Sequence, residues 1–181
     1  MCIRLLRLYF RAFRIVFLAP LLAVSPFCAV ASGKPVSEEP QLVVTFDADL
    51  QPDFAERRLG FTALSALPNT EYRTATVWTD GVAAFSGVLL WDLLRDVGMD
   101  PATWQGSMTF HAIDGYVARI ESAIVTPQAP LLALRKNGRP MSRRRHGPFW
   151  VIFPYDDDPS FRTETILSLS IWQVERVSIA P

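Results

Sequence analysis

Cysteine is nearly absent. The 181 residues contain two, Cys2 and Cys28, and both lie near the start of the chain. Beyond residue 31 there is no thiol, which excludes disulfides, thiolate metal ligation and cysteine nucleophiles from that part of the protein. Histidine is almost as scarce, with only His111 and His146, and two imidazoles without sulfur make a weak metal site. The common enzyme signatures are missing as well: there is no Gly-x-Ser-x-Gly elbow, no Gly-x-Gly-x-x-Gly run and no phosphate loop. Long apolar runs are lacking too, since Pro20, Ser25 and Pro26 interrupt the stretch that begins at Ile15.

That interrupted stretch reads as a cleaved export signal. Arg4, Arg7, Arg11 and Arg14 form a positive n-region, Ile15 to Val24 form an apolar core too short to span a bilayer, and Ala29-Val30-Ala31 offers a small-x-small cleavage site. The expectation is a signal peptide over residues 1–31, a periplasmic location and a mobile tail over 32–40. The folded domain is expected over 41–181. Cys28 follows Ser25-Pro26-Phe27, where a lipidated cysteine would need a small neighbour, so no lipid anchor is expected. Of the 18 basic and 18 acidic residues, the signal removes four basic ones and no acidic ones. Fourteen against eighteen leaves a net charge of −4. That balance argues against nucleic acid as a partner, which needs a basic surface.

The rest of the chain alternates short apolar strands with turn pairs. Gln41 onwards reads as a strand, Thr74 to Thr79 as another, and residues 88–97 as the clearest helix, capped by Ser86 or Gly87 and stopped by Gly98. Asp114-Gly115 and Asn137-Gly138 are hairpin signals. "FWVIFPY" and "LSLSIWQVERVSIA" are rich in β-branched and aromatic residues and read as strands. One helix among many strands indicates an α+β domain.

The chemistry concentrates in "RRRHGPFWVIFPYDDDP", residues 143–159. Arg143, Arg144 and Arg145 repel one another unless an anion offsets them. Asp156 to Asp158 could do so internally, or a ligand could. Calcium coordination by the three aspartates is not expected, because calcium loops alternate their ligands and include a glycine turn. A flat heteroaromatic would stack on Phe149, Trp150 or Trp78 while guanidinium and carboxylate groups read its polar rim.

"TATVWTDGVAAFSGVLLWDLL", "HAIDGYVARI", "LALRKNGRPM" and "RRHGPFWVIFPYD", in this order and spacing, resemble the molybdopterin-binding domain of the sulfite oxidase superfamily, from about Phe46 to Ile179. The resemblance implies an α+β domain of mixed, layered β-sheets. In enzymes of that superfamily a cysteine thiolate holds molybdenum near the strand corresponding to "TATVWTDG"; here Trp78, Thr79 and Asp80 stand in that neighbourhood, so no molybdenum is expected. The cysteine-less branch that the chain is similar to is the PruR type, periplasmic proteins that bind a reduced, metal-free pterin. They act through the periplasmic domain of a membrane-bound GGDEF/EAL-type enzyme of cyclic-di-GMP turnover. The resemblance therefore implies a pterin-binding sensor and not an enzyme. It places Trp78 and Trp150 in stacking roles, Asp114 or Asp156 on the 2-amino group, Arg144, Arg145 and His146 on polar groups, and Tyr116 and Tyr155 in the pocket wall. Two alternatives stay open: a molybdopterin oxidoreductase using His111 or Asp80 as its metal ligand, and an interaction module with a vestigial pocket.

Overall fold

A computed structural model of the chain describes residues 39–47 and 56–181. The expected signal peptide and most of the expected tail lie outside the described residues. The last two tail residues are held in place: the Phe61 amide donates to Pro40 O at 2.9 Å, and the Glu39 carboxylate accepts from the Thr62 amide. No described helix is long and apolar enough to cross a membrane.

Two five-stranded sheets make up the domain. The first has β1 (Gln41–Phe46), β2 (Glu56–Gly60), β5 (Ser107–Ala112), β6 (Val117–Glu121) and β10 (Val174–Ala180), in the order β2-β1-β10-β5-β6. β10 runs parallel to β1 and antiparallel to β5, so it is the central strand. Val174, Val177 and Ile179 are buried, and the alternation is interrupted once, at a bulge where Glu175 and Arg176 are both exposed. The second sheet has β3 (Thr70–Ala75), β4 (Val82–Leu89), β7 (Leu131–Lys136) and β8 (Arg139–Pro140), with β9 (Trp150–Ile152) also paired to β7. Three short helices complete the domain: α1 (Phe61–Ala66), α2 (Leu90–Asp96) and α3 (Glu164–Leu169). One hydrophobic cluster takes residues from both sheets, among them Phe110 and Val177 of the first and Phe85, Leu132 and Trp150 of the second.

Several elements depart from the sequence reading. The strand expected at Thr74–Thr79 ends at Ala75, because the Thr76 and Thr79 hydroxyls close a turn. Thr79 Oγ1 accepts from the Thr76 amide at 3.1 Å, and Thr76 Oγ1 accepts from the Trp78 amide at 3.1 Å. The helix begins at Leu90, not at residue 88, since Ala83, Phe85 and Gly87 bury in alternation and extend β4 through Leu89. Gly87 is no helix cap; a Cβ there would lie 2.1 Å from Leu132 O, so glycine is what lets β4 and β7 approach. "LSLSIW" is not strand. Leu167 to Leu169 are helical, with the Thr163 hydroxyl accepting from the Ile166 amide at 3.3 Å as the N-cap. Gly98 does end α2, at φ +90°.

The sheets are joined at one seam. Trp150 of β9 forms an antiparallel bridge with Trp172, and the Val151 amide donates to Ile171 O at 2.8 Å. Trp172 lies just before β10, so the seam fixes the entry of the central strand.

Candidate functional site

A cavity of about 410 Å³ opens beside this seam, within the roughly 300–1,000 Å³ range of small-molecule sites. Its aromatic walls are Trp78, Trp172 and Tyr116, its polar members Asp114, Ser168 and Ser170. Each wall is positioned by local chemistry. The threonine turn described above holds Trp78, and Gly81 at φ +75° returns the chain into β4. Asp114 and Tyr116 come from the β5–β6 hairpin, where Gly115 takes φ +88° and Asp114 Oδ1 accepts from the Tyr116 amide at 3.0 Å. The Tyr116 hydroxyl donates to Ser168 O at 2.8 Å, tying the hairpin to α3 across the cavity.

The hydroxyls of Ser168 and Ser170 are committed as donors, to Thr165 O at 2.7 Å and Ile166 O at 2.9 Å. Their oxygens keep lone pairs to accept, but the one charged acceptor in the lining is the Asp114 carboxylate. It is exposed, with one oxygen turned to its own hairpin.

Trp150 lies beneath the cavity rather than in its wall. It is fully buried, because its indole is boxed by other rings. His146 stacks on it at 4.5 Å and 29°, and Trp78, Phe85 and Trp172 meet it edge-on at 5.9, 5.4 and 6.1 Å. Its Nε1 donates to Ser170 O at 3.3 Å. Trp150 therefore supports the two rings that do face the cavity.

The remaining expected residues fall into two neighbouring depressions. Tyr155 and Asp156 border a shallower pocket of about 270 Å³ that shares Val77 and Leu167 with the cavity. Asp156 is occupied there: its Oδ2 accepts from the Ala75 amide at 2.6 Å and its Oδ1 faces Arg162 at 3.1 Å. The Tyr155 hydroxyl bonds to that of Ser170, and burial raises its pKa. Arg144, Arg145 and His146 line a separate groove of about 520 Å³ with Lys136 and Arg139. The aspartate cluster does not neutralise the arginine run. Asp156 pairs with Arg162, Asp158 accepts from the Ser160 amide at 2.7 Å, and among the described residues no carboxylate lies within ion-pair distance of Arg143, Arg144 or Arg145.

His146 stands between cavity and groove, stacked on Trp150 and edge-on to Trp172 at 5.3 Å. Partial burial, and secondarily the charge of Lys136, lower its pKa from the ordinary 6.5. The folded state thus binds this proton less readily than the unfolded chain. Stability should be level above pH 6.5 and fall as the pH drops from 6.5 towards the lowered value, as the unfolded chain gains the proton first. Thermal melts across that window check this, and His146→Gln should flatten the slope there.

Sequence reasoning missed Trp172, Ser168 and Ser170 as cavity members. "LSLSIW" reads as a strand by composition, whereas the helix is signalled by Thr163, an N-cap residue three positions before Ile166. His111 pairs across β5 with Arg176 and Val117 in the first sheet, and neither it nor Asp80 lines the cavity.

No family model and no curated protein matches the chain. Among solved structures, the sulfane dehydrogenase SoxCD from Paracoccus pantotrophus is similar, with a TM-score of 0.54 and 18% identity over 78% of this chain and 38% of that one. The fold is of the sulfite oxidase type. The chain thus spans well under half of that neighbour's length, and the mixed α+β architecture with layered sheets is what the two have in common.

A sulfite-oxidase-type fold raises the question of a molybdenum cofactor. The donor set at the cavity answers it poorly. The lining offers the Asp114 carboxylate, two committed serine hydroxyls and a committed tyrosine hydroxyl, with no sulfur or imidazole. Among the described residues no group of three or more histidine, cysteine, aspartate and glutamate side chains could hold a metal ion. A thiolate-ligated molybdenum does not fit these residues.

Proposed function

We propose that this chain is a periplasmic sensor that binds a reduced, metal-free pterin. In this reading it regulates a membrane-bound cyclic-di-GMP cyclase or phosphodiesterase through the periplasmic domain of that enzyme, as proteins of the PruR type do. The observation that carries the pterin reading is the cavity lined by Trp78, Trp172 and Tyr116, in which the two indoles meet edge-on at 5.5 Å and form one aromatic wall, with the Asp114 carboxylate at its edge. A pterin is planar and presents a 2-amino-4-oxo edge, so the aromatic wall suits one of its faces and Asp114 suits its amino group. The groove beyond the His146–Trp172 partition would meet a polar or anionic tail with Arg144 and Arg145.

Binding acts here without covalent chemistry. The aromatic wall excludes water from the ligand face laid against it, Trp150 packs against both of its indoles, and the Tyr116–Ser168 bond keeps the hairpin carboxylate at the cavity edge. The partner enters only through the resemblance and is tested by co-purification with the periplasmic domain of a GGDEF/EAL-type protein.

Titration with tetrahydropterin, followed by quenching of tryptophan fluorescence, tests the site. Trp78→Ala should weaken binding by about tenfold, the share of one stacking wall with its burial. Asp114→Asn should weaken it by about tenfold or more through loss of a charge-assisted hydrogen bond, with the melting temperature unchanged because Asp114 is exposed. Absence of binding by any pterin, or stoichiometric molybdenum in the purified protein, would overturn the reading in favour of an interaction module or an oxidoreductase respectively.

A further inference from the structure

A second groove, of about 490 Å³, lies on the other side of the arginine run. Arg58, Arg143 and Arg176 line it, with Ile113, Met141 and Pro148 among its apolar members. The three arginines thus do not act as one cluster, since Arg144 and Arg145 line the groove that also holds Lys136 and Arg139.

The sheet itself spaces two of these guanidiniums. Arg58 of β2 and Arg176 of β10 both lie opposite Val43 of β1, which puts their backbones two strands apart, roughly 10 Å. Arg58 shares its charge with Glu56 at 2.7 Å. Among the described residues Arg143 and Arg176 have no carboxylate within ion-pair distance, although Glu175 is also in the lining. Exposed guanidiniums held around a depression with apolar walls lower the energy of an anion placed between them.

The depth and spacing identify the anion. Arginines that meet a membrane surface stand out from it, whereas these line a walled groove. An extended polypeptide advances about 3.3 Å per residue and turns every second side chain to the same face, so carboxylates two residues apart stand about 7 Å apart, within reach of long arginine side chains whose backbones are set roughly 10 Å apart.

The groove and the cavity adjoin at two points of the chain, Ile113 beside Asp114 and Gln173 between Trp172 and Val174. Gln173 follows Trp172 of the cavity wall and precedes Val174 of the groove wall. It takes the left-handed conformation, φ 53°. Its side-chain amide donates to Arg143 O at 2.6 Å, its backbone amide donates to His146 O at 3.1 Å, and its carbonyl accepts from the Ile113 amide at 3.1 Å.

We propose that the Arg58–Arg143–Arg176 groove is a docking site for an acidic, extended segment of a partner protein. That the partner is the regulated membrane enzyme rests on the function proposed above; the chemistry of the groove does not, and its test needs no pterin. The measurement is fluorescence anisotropy of a fluorescein-labelled poly-L-glutamate peptide titrated with the purified protein at physiological salt, where charges beyond about 8 Å are screened. Saturable binding is expected. R143E/R176E should weaken it by about tenfold or more, as loss of charge-assisted hydrogen bonds implies. R73E/R95E, the same charge change at exposed positions outside the groove, should leave it within about twofold. Circular dichroism and melting temperature confirm that both variants fold. No binding, an equal loss in both double variants, or phosphatidylglycerol vesicles that bind the protein through Arg143 and Arg176 while the peptide does not, would each overturn the assignment.

Discussion

Trp150→Ala should cost about 3–5 kcal/mol of folding stability, the range for truncating a fully buried tryptophan. In a domain of this size that lowers the melting temperature by about 10 °C. The cost comes from three sources. The cavity left behind would strip contacts from Phe85 and Trp172, which meet the indole edge-on at 5.4 and 6.1 Å. His146 would lose the ring it stacks on at 4.5 Å. Ser170 O would lose its indole donor in a buried setting. Trp150 is also the residue that bridges to Trp172, so the loss falls on the seam between the sheets. Differential scanning calorimetry reads the effect directly. A variant that melts like the parent protein would show that the ring box is not a structural unit. Any loss of pterin affinity in this variant should scale with instability, whereas that in Asp114→Asn should not.

The second large effect is expected at Gly147. A Cβ there would sit 1.9 Å from Met141 O and 2.3 Å from its carbonyl carbon, so Gly147→Ala cannot be accommodated without moving backbone. The displaced backbone is short and heavily tied. The Arg145 amide donates to Ser142 O at 2.8 Å and closes the 3-10 turn Arg143–Arg145, the Gly147 amide donates to the same oxygen at 2.9 Å, and His146 sits between the two donors at φ 66°. Overpacking of this kind costs about 3 kcal/mol. The strain must also reach the arginines and His146, because they ride on the same turn. Denaturant unfolding should show the stability loss, and the pH slope assigned to His146 should change with it. An alanine variant as stable as the parent would mean that the turn tolerates a shift the close contact forbids.

How much of this could be read from the residues alone depends on the scale of the feature. The α+β class and the Asp114-Gly115 and Asn137-Gly138 turns were legible because each rests on local chemistry: alternation, or a glycine at positive φ. Trp78, Asp114 and Tyr116 were legible as neighbours only through the resemblance, since a turn and a hairpin far apart in sequence meet at the cavity. The fate of the arginine run was not legible. Three consecutive arginines on a 3-10 turn point in different directions, and the partition between two grooves depends on β2, β7 and β10. The aspartates misled for the same reason. Asp156 is drawn to Arg162, six residues on, and to the Ala75 amide at the end of an edge strand, a tertiary pairing that composition does not reveal. Trp150 and Trp78 look alike in sequence; one lies at the centre of the ring box and the other at its rim.

The position of β10 has a bearing on how the chain acquires its shape. The β1–β2 and β5–β6 pairs have no common neighbour until residues 174–180 arrive and insert between them. A nascent chain therefore holds two half-sheets with open edges while most of it is already synthesised, and such non-local pairing forms slowly. Completion of the first sheet therefore waits on residues 174–180, and the inner edges of both halves stay unpaired until that strand is made.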